Sequence, residues 1–168
     1  MTYRVLAATL LIVAPTLASA QVTSKPSPVE GVWKITEVVT TGANAATNAS
    51  PQPSLVIFAM GHYSMLSIGG TTARTAVTPP KDPANATDAE KIAYYEHWRP
   101  FSANSGTYEV KGTTMTRRPM VAKNHSVMTA ETPTVVEFKV EGNTLWLTSK
   151  SAAGQPESQT RTKLTRVR

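Results

Sequence analysis

Nucleophilic catalysis by a serine needs a serine, a histidine and an acid brought together. The chain has no Gly-x-Ser-x-Gly elbow to present one. A metal site needs converging imidazoles or carboxylates. The three histidines, His62, His97 and His125, fall in a strand, a helix and a loop by the patterns around them, with no His-x-His or His-x-x-Glu-His spacing. His97, beside Tyr94 and Trp98, has the neighbours of a haem ligand, but a histidine on a surface helix is the commoner case. No cysteine occurs, which removes thiol chemistry, thiolate-bound metals, disulfides and lipid attachment at a cleavage site. No cofactor is implied. Among the acids only Glu37 stands at an inward strand position, on the face of Trp33 and Ile35. Burying it there would need a base, Arg117 or Arg118; the alternative is a local bulge that turns it outward.

What remains is a set of aromatic and methionine side chains. Tyr63, Met65, Tyr108, Met115 and Phe138 lie on strands, with Tyr94, Tyr95 and Trp98 on a helix. Apolar walls with a few polar tips are what a small-molecule cavity is made of, and the same residues would equally fill a packed core. The candidate ligand-binding residues are Tyr63, Met65, Trp98, Tyr108, Met115, Arg118 and Phe138, with Arg118 facing an acidic head group.

From Gly31 onward the chain is a series of short β-branched and aromatic segments separated by turn signals, the pattern of an antiparallel sandwich or barrel. Eight strands are predicted: 31–41, 54–60, 62–68, 106–111, 113–121, 134–141, 144–150 and 158–167. The clearest is 134–141, where Val136, Phe138 and Val140 alternate with Glu137, Lys139 and Glu141, giving one dry and one wet face. Pro119 implies that its strand ends early, bulges or lies at an edge. One helix interrupts the meander: Thr87-Asp88-Ala89-Glu90 is a capping box, and Pro100 ends the run that follows. Ala89, Ile92 and Tyr95 or Glu96 share one side of it. Residues 42–53 and 69–86 read as polar loops.

The N-terminus carries an address. Arg4 precedes an apolar run from Val5 to Ala14, then Pro15 and the small residues Ala18 and Ala20. This predicts a signal peptide over 1–20, cut after Ala20. The run is too short for a bilayer core, which needs about 20 apolar residues, so no stable membrane insertion is expected after cleavage. The protein would be secreted or periplasmic. Residues 21–30 are Pro- and Ser-rich and read as a linker, with one domain over 31–168. The formal net charge is +6, but the basic residues are scattered apart from Arg117-Arg118 and the Arg161–Arg168 tail. A solvated surface explains them better than nucleic-acid binding. Three glycosylation sequons, at Asn48, Asn85 and Asn124, matter only in a host that uses them.

The order of several landmarks resembles the lipocalin-like domain family: Gly31-Val32-Trp33-Lys34-Ile35, then Gly61-His62-Tyr63-Ser64-Met65, the helical insert, Ser105 to Val110, and Phe138 to Leu145. The resemblance covers about residues 30 to 150. It implies an all-β, eight-stranded up-and-down antiparallel barrel, with one short helix between the third and fourth strands and an interior able to hold a small ligand. It also implies that Trp33 of Gly31-x-Trp33 closes the bottom, covered by an arginine near the last strand; Arg166 is the candidate. A histidine pair often found on the family's fifth strand is replaced here by Arg117-Arg118, so no role tied to those imidazoles carries over. The expected function is binding of a small hydrophobic or amphipathic molecule. The alternatives are a small barrel enzyme of isomerase, cyclase or hydratase type using Tyr, Arg or Glu in the same cavity, or an envelope-interaction protein with a filled core.

Overall fold

A computed structural model describes residues 26–167. The expected signal peptide, residues 21–25 of the expected linker, and Arg168 lie outside the described residues. The strands are β1 (Gly31–Gly42), β2 (Ala46–Asn48), β3 (Ser54–Ala59), β4 (His62–Ile68), β5 (Phe101–Lys111), β6 (Thr114–Ala122), β7 (Thr134–Glu141), β8 (Thr144–Lys150) and β9 (Ser158–Arg166). The helices are α1 (Asp88–Trp98) and α2 (His125–Met128). Every pairing is antiparallel, and β3 to β9 follow one another in chain order. β1 pairs with β3 on one side and β9 on the other, which closes an eight-stranded up-and-down barrel. The short β2, in a segment expected to be loop, lies against the far end of β1.

Side chains opposite each other in an antiparallel pair share a face, so the pairings define the interior. Trp33 of β1 faces inward opposite Val56, which opposes Met65, and Val140 opposes Leu145, which opposes Leu164. The buried cluster of Trp33, Val56, Phe58, Met115, Leu145 and Leu164 sits toward the end where β1, β4, β6 and β8 begin. That end is closed. Residues 26–30, assigned by composition to the linker, cross it: Val29 is fully buried, and its carbonyl accepts the Trp33 indole N–H at 2.9 Å. An apolar side chain with somewhere to pack overrides the proline-rich composition around it.

Trp33 and Arg166 meet as the resemblance implies. The Arg166 guanidinium lies 4.1 Å from the centroid of the Trp33 ring, and its Nη1 donates to the Glu30 carbonyl at 2.8 Å. The two residues are direct cross-strand neighbours on β1 and β9.

Both uncertain strand positions resolve as bulges. The β1–β9 register shifts between Ile35 and Glu37, so Glu37 opposes Lys163 rather than the inward Thr162. Leu164 faces the core and Lys163 the outside, so the extra residue, Thr36, turns Glu37 outward. No carboxylate is buried there, and no base is needed. On β6 the strand runs through Pro119, and the register skips Met120, with Ser105 opposite Val121 and Gly106 opposite Pro119. β6 pairs with β7 only over Thr114–Arg117, so Pro119 also stands at a local edge, where its missing N–H breaks no ladder.

The bulge brings the Arg118 carbonyl against Gly106, where any Cβ would overlap backbone atoms of Arg118 and Met120. Gly106→Ala is therefore expected to destabilise the protein by roughly 1–3 kcal/mol, the range for forced overpacking. Urea unfolding checks it; an unchanged midpoint would mean that the bulge relaxes freely.

α1 begins as expected. The Thr87 backbone N–H donates to Glu90 Oε2 at 2.9 Å, and the Glu90 N–H returns to Thr87 Oγ1 at 3.3 Å. The helix buries none of its residues, and Ile92 and Tyr95 are both 62 % exposed. The stripe visible in its sequence is thus not a core-facing one.

Candidate ligand-binding site

The barrel interior has two halves of different chemistry. In the closed half, Tyr63, Tyr108, Met115 and Phe138 are buried among Trp33, Val56, Leu145 and Leu164. Phe58 stacks edge-on against Tyr108 at 5.2 Å. Four of the expected ligand-binding residues therefore form a filled floor, as aromatic side chains do in most small barrels.

Towards the other end the inward positions change character. Following the same pairings upward gives Ser54 opposite Ser67, Ser67 opposite Ser102, and Met65 opposite Asn104. It also gives Arg117 opposite Thr134, and Thr160 opposite both Ser149 and Thr40. These residues point inward, yet each is half-buried or exposed. An inward side chain that solvent reaches marks an open cup. Part of its polarity is satisfied internally: the Thr40 and Thr160 hydroxyls lie 3.0 Å apart, and Ser54 Oγ accepts the Ile35 N–H at 2.8 Å.

Arg117 stands where the two halves meet. Its guanidinium carbon lies 5.6 Å from the Tyr63 ring centroid, Nη1 contacts the Met65 sulfur, and Nε is buried with no hydrogen-bond partner. The three ion pairs among the described residues, Lys91–Asp88, Arg99–Glu96 and Lys139–Glu141, all lie on the outside. Register sends Glu109, Glu137 and Glu141 outward as well. Burial holds Arg117 below the ordinary guanidinium range, with Tyr63 acting weakly in the other direction. A guanidinium nonetheless keeps its proton, so the base of the cup is a cation that faces no carboxylate among the described residues.

Arg118, expected to hold this place, opposes Thr107 on the outer face and is exposed. The signal for Arg117 lies in the sequence: Met115 is a core residue, and a period of two puts residue 117 on its face. Met65 does line the cup. Trp98 does not: it packs edge-on against Phe101 at 5.5 Å in the helical insert, with the Arg74 guanidinium carbon 5.5 Å from its ring. At the rim, Ser102, Asn104 and Ala122 also border a hollow of about 500 Å³, walled by Tyr95, Arg99, Lys123 and His125. Lys123 Nζ donates to the Arg99 and Phe101 carbonyls at 3.2 and 2.8 Å, tying the end of the α1 segment to β6. His62 and His125 are exposed and His97 is half-buried, on three separate elements, β4, α2 and α1 respectively.

Burial pushes the Tyr63 and Tyr108 phenols above their ordinary value, with nearby Arg117 offsetting part of the rise at Tyr63. The native state thus holds these protons more tightly than the unfolded chain does. Their contribution to stability is complete below the unfolded phenol value of about 10 and is lost as pH rises through the folded values. Arg117 acts in the opposite sense, but only where guanidinium itself begins to titrate. Urea midpoints are therefore expected to fall above pH of about 10, and to fall less in Tyr63→Phe. Parallel curves for the variant and the parent would rule this out.

Fold and site together define a class: a closed antiparallel barrel with one packed end and one open, polar end built over a lone guanidinium. No family model matches the chain, and no match is found among curated proteins.

Proposed function

We propose that this is an exported, lipocalin-like binding protein whose open cup receives a small molecule through an acidic group held by Arg117. The observation that carries the reading is Arg117, a guanidinium with no counter-ion among the described residues and a buried Nε without a hydrogen-bond partner. Desolvating a charge without a counter-ion is costly, and an anion arriving from solution supplies the missing partner through short, charge-assisted hydrogen bonds. Lys123 at the rim adds a positive charge to the approach for such a ligand. The leader-like first twenty residues and the order of landmarks along the chain support export and the lipocalin-like reading.

Binding fits better than turnover. The ionisable neighbours of Arg117 are Tyr63 and its cross-strand partner Tyr108, whose phenols burial raises and so keeps protonated, and neither offers the ligand a general base. The test is native mass spectrometry of the protein purified from its own host. A co-purifying small acid is expected with the parent protein and its loss with Arg117→Gln. An acid retained equally by both proteins, or no acid in either, would count against the reading.

A further inference from the structure

We infer that the acid received by Arg117 is a small hydroxylated one, of the sugar-acid or hydroxycarboxylate class, rather than one with an alkyl tail. This rests on the reading of the cup as a ligand site and names the remainder of the ligand.

The wall above Arg117 decides it. Ser67, Asn104, Thr134, Ser149 and Thr162 come from five different strands and point inward on the register of their pairings. Val38, Met65, Pro119, Ala122 and Leu147 are the apolar residues beside them, with Phe138 next to Leu147 on the Thr162 side, so the hydroxyl and amide groups dominate the wall formed by β4, β5 and the upper parts of β8 and β9. Below Arg117 no room is left for a tail, because Met115, Leu145 and Leu164 are fully buried in the floor. An alkyl chain anchored by its carboxylate at Arg117 would have to run upward through the hydroxyl ring. There each methylene would desolvate polar groups without meeting the apolar wall that makes its burial favourable. A ligand carrying hydroxyls along a short backbone instead replaces the water bonded to those side chains with bonds of its own. The two recognition elements are complementary: the guanidinium takes the carboxylate as a fork, and the ring takes the hydroxyls.

Titration calorimetry on the full-length barrel, using D-glucuronate, D-gluconate and octanoate as probes, separates the cases. The sugar acids are expected to bind. Affinity should fall by roughly tenfold to a hundredfold in Arg117→Gln, the loss of a charge-assisted bond, and by a smaller factor in Thr162→Val, which keeps the side-chain volume. Octanoate should give no heat attributable to the cup. Octanoate binding that depends on Arg117, with no sugar-acid binding, would overturn this inference and leave the binding-protein reading standing. No Arg117-dependent binding by any of the three acids would overturn both. Sugar-acid binding unaffected by Thr162→Val and Thr134→Val would show that the hydroxyl ring takes no part, which also overturns the inference.

Discussion

Trp33→Ala is expected to cost the barrel about 3–5 kcal/mol, the range for truncating a fully buried aromatic whose site cannot collapse. Three links fail together. The indole volume leaves a cavity at the closed end, between β1, β3 and β9. The Val29 carbonyl loses the 2.9 Å bond that holds residues 26–30 across the opening. Arg166, now 4.1 Å from the ring, loses the face against which it lies. Trp33→Phe separates the contributions, because it keeps an aromatic face for Arg166 but not the N–H. It should cost distinctly less than the alanine change. Arg166→Ala alone should cost only about 0.5–2 kcal/mol, the scale of a cation–π contact. Chemical denaturation of the three variants checks the order; an Arg166 loss as large as the Trp33 loss would show that the arginine, and not the indole, closes the barrel.

The closed half of the barrel was legible in the sequence because its physics is conventional. Val136, Phe138 and Val140 alternate with charged residues, Gly31-x-Trp33 stands at the head of the first strand, and Arg166 shares a face with Leu164. Each signal is a contrast between apolar inside and polar outside, and the structure keeps that contrast at this end. The open half erases it. β5 begins at Phe101, five residues before the predicted start, because Ser102 and Asn104 face inward and Ala103 and Ser105 face outward. A strand that is polar on its inner face gives no period-two hydropathy signal. The feature that hides the strand is the one that makes the cup. For the same reason four of the expected ligand residues, Tyr63, Tyr108, Met115 and Phe138, gathered in the floor, where aromatic side chains go, while the site formed mainly from serines, threonines, Asn104 and one arginine that composition alone would assign to loops and surface.

Arg117→Met is expected to make the empty protein more stable while abolishing the binding of acids. The guanidinium Nε is buried without a partner, and removing such a group relieves a desolvation cost of about 1–3 kcal/mol. Methionine preserves the flexible stem and places its sulfur beside Met65 and the Tyr63 ring, where thioethers pack well. Replacing a buried charge with an apolar side chain of similar reach is often neutral or stabilising when the charge has no partner to lose. The gain should disappear once ligand is present. A saturating acid adds stability to the parent by mass action, about 2.7 kcal/mol at a hundred times its Kd, and adds nothing to the variant. The two proteins should therefore exchange rank: the variant melts higher without ligand, the parent higher with it. Thermal scans of both, with and without the acid, test this directly. A variant that is less stable than the parent when empty would show that Arg117 is a satisfied structural residue, and the case for an anionic ligand would go with it.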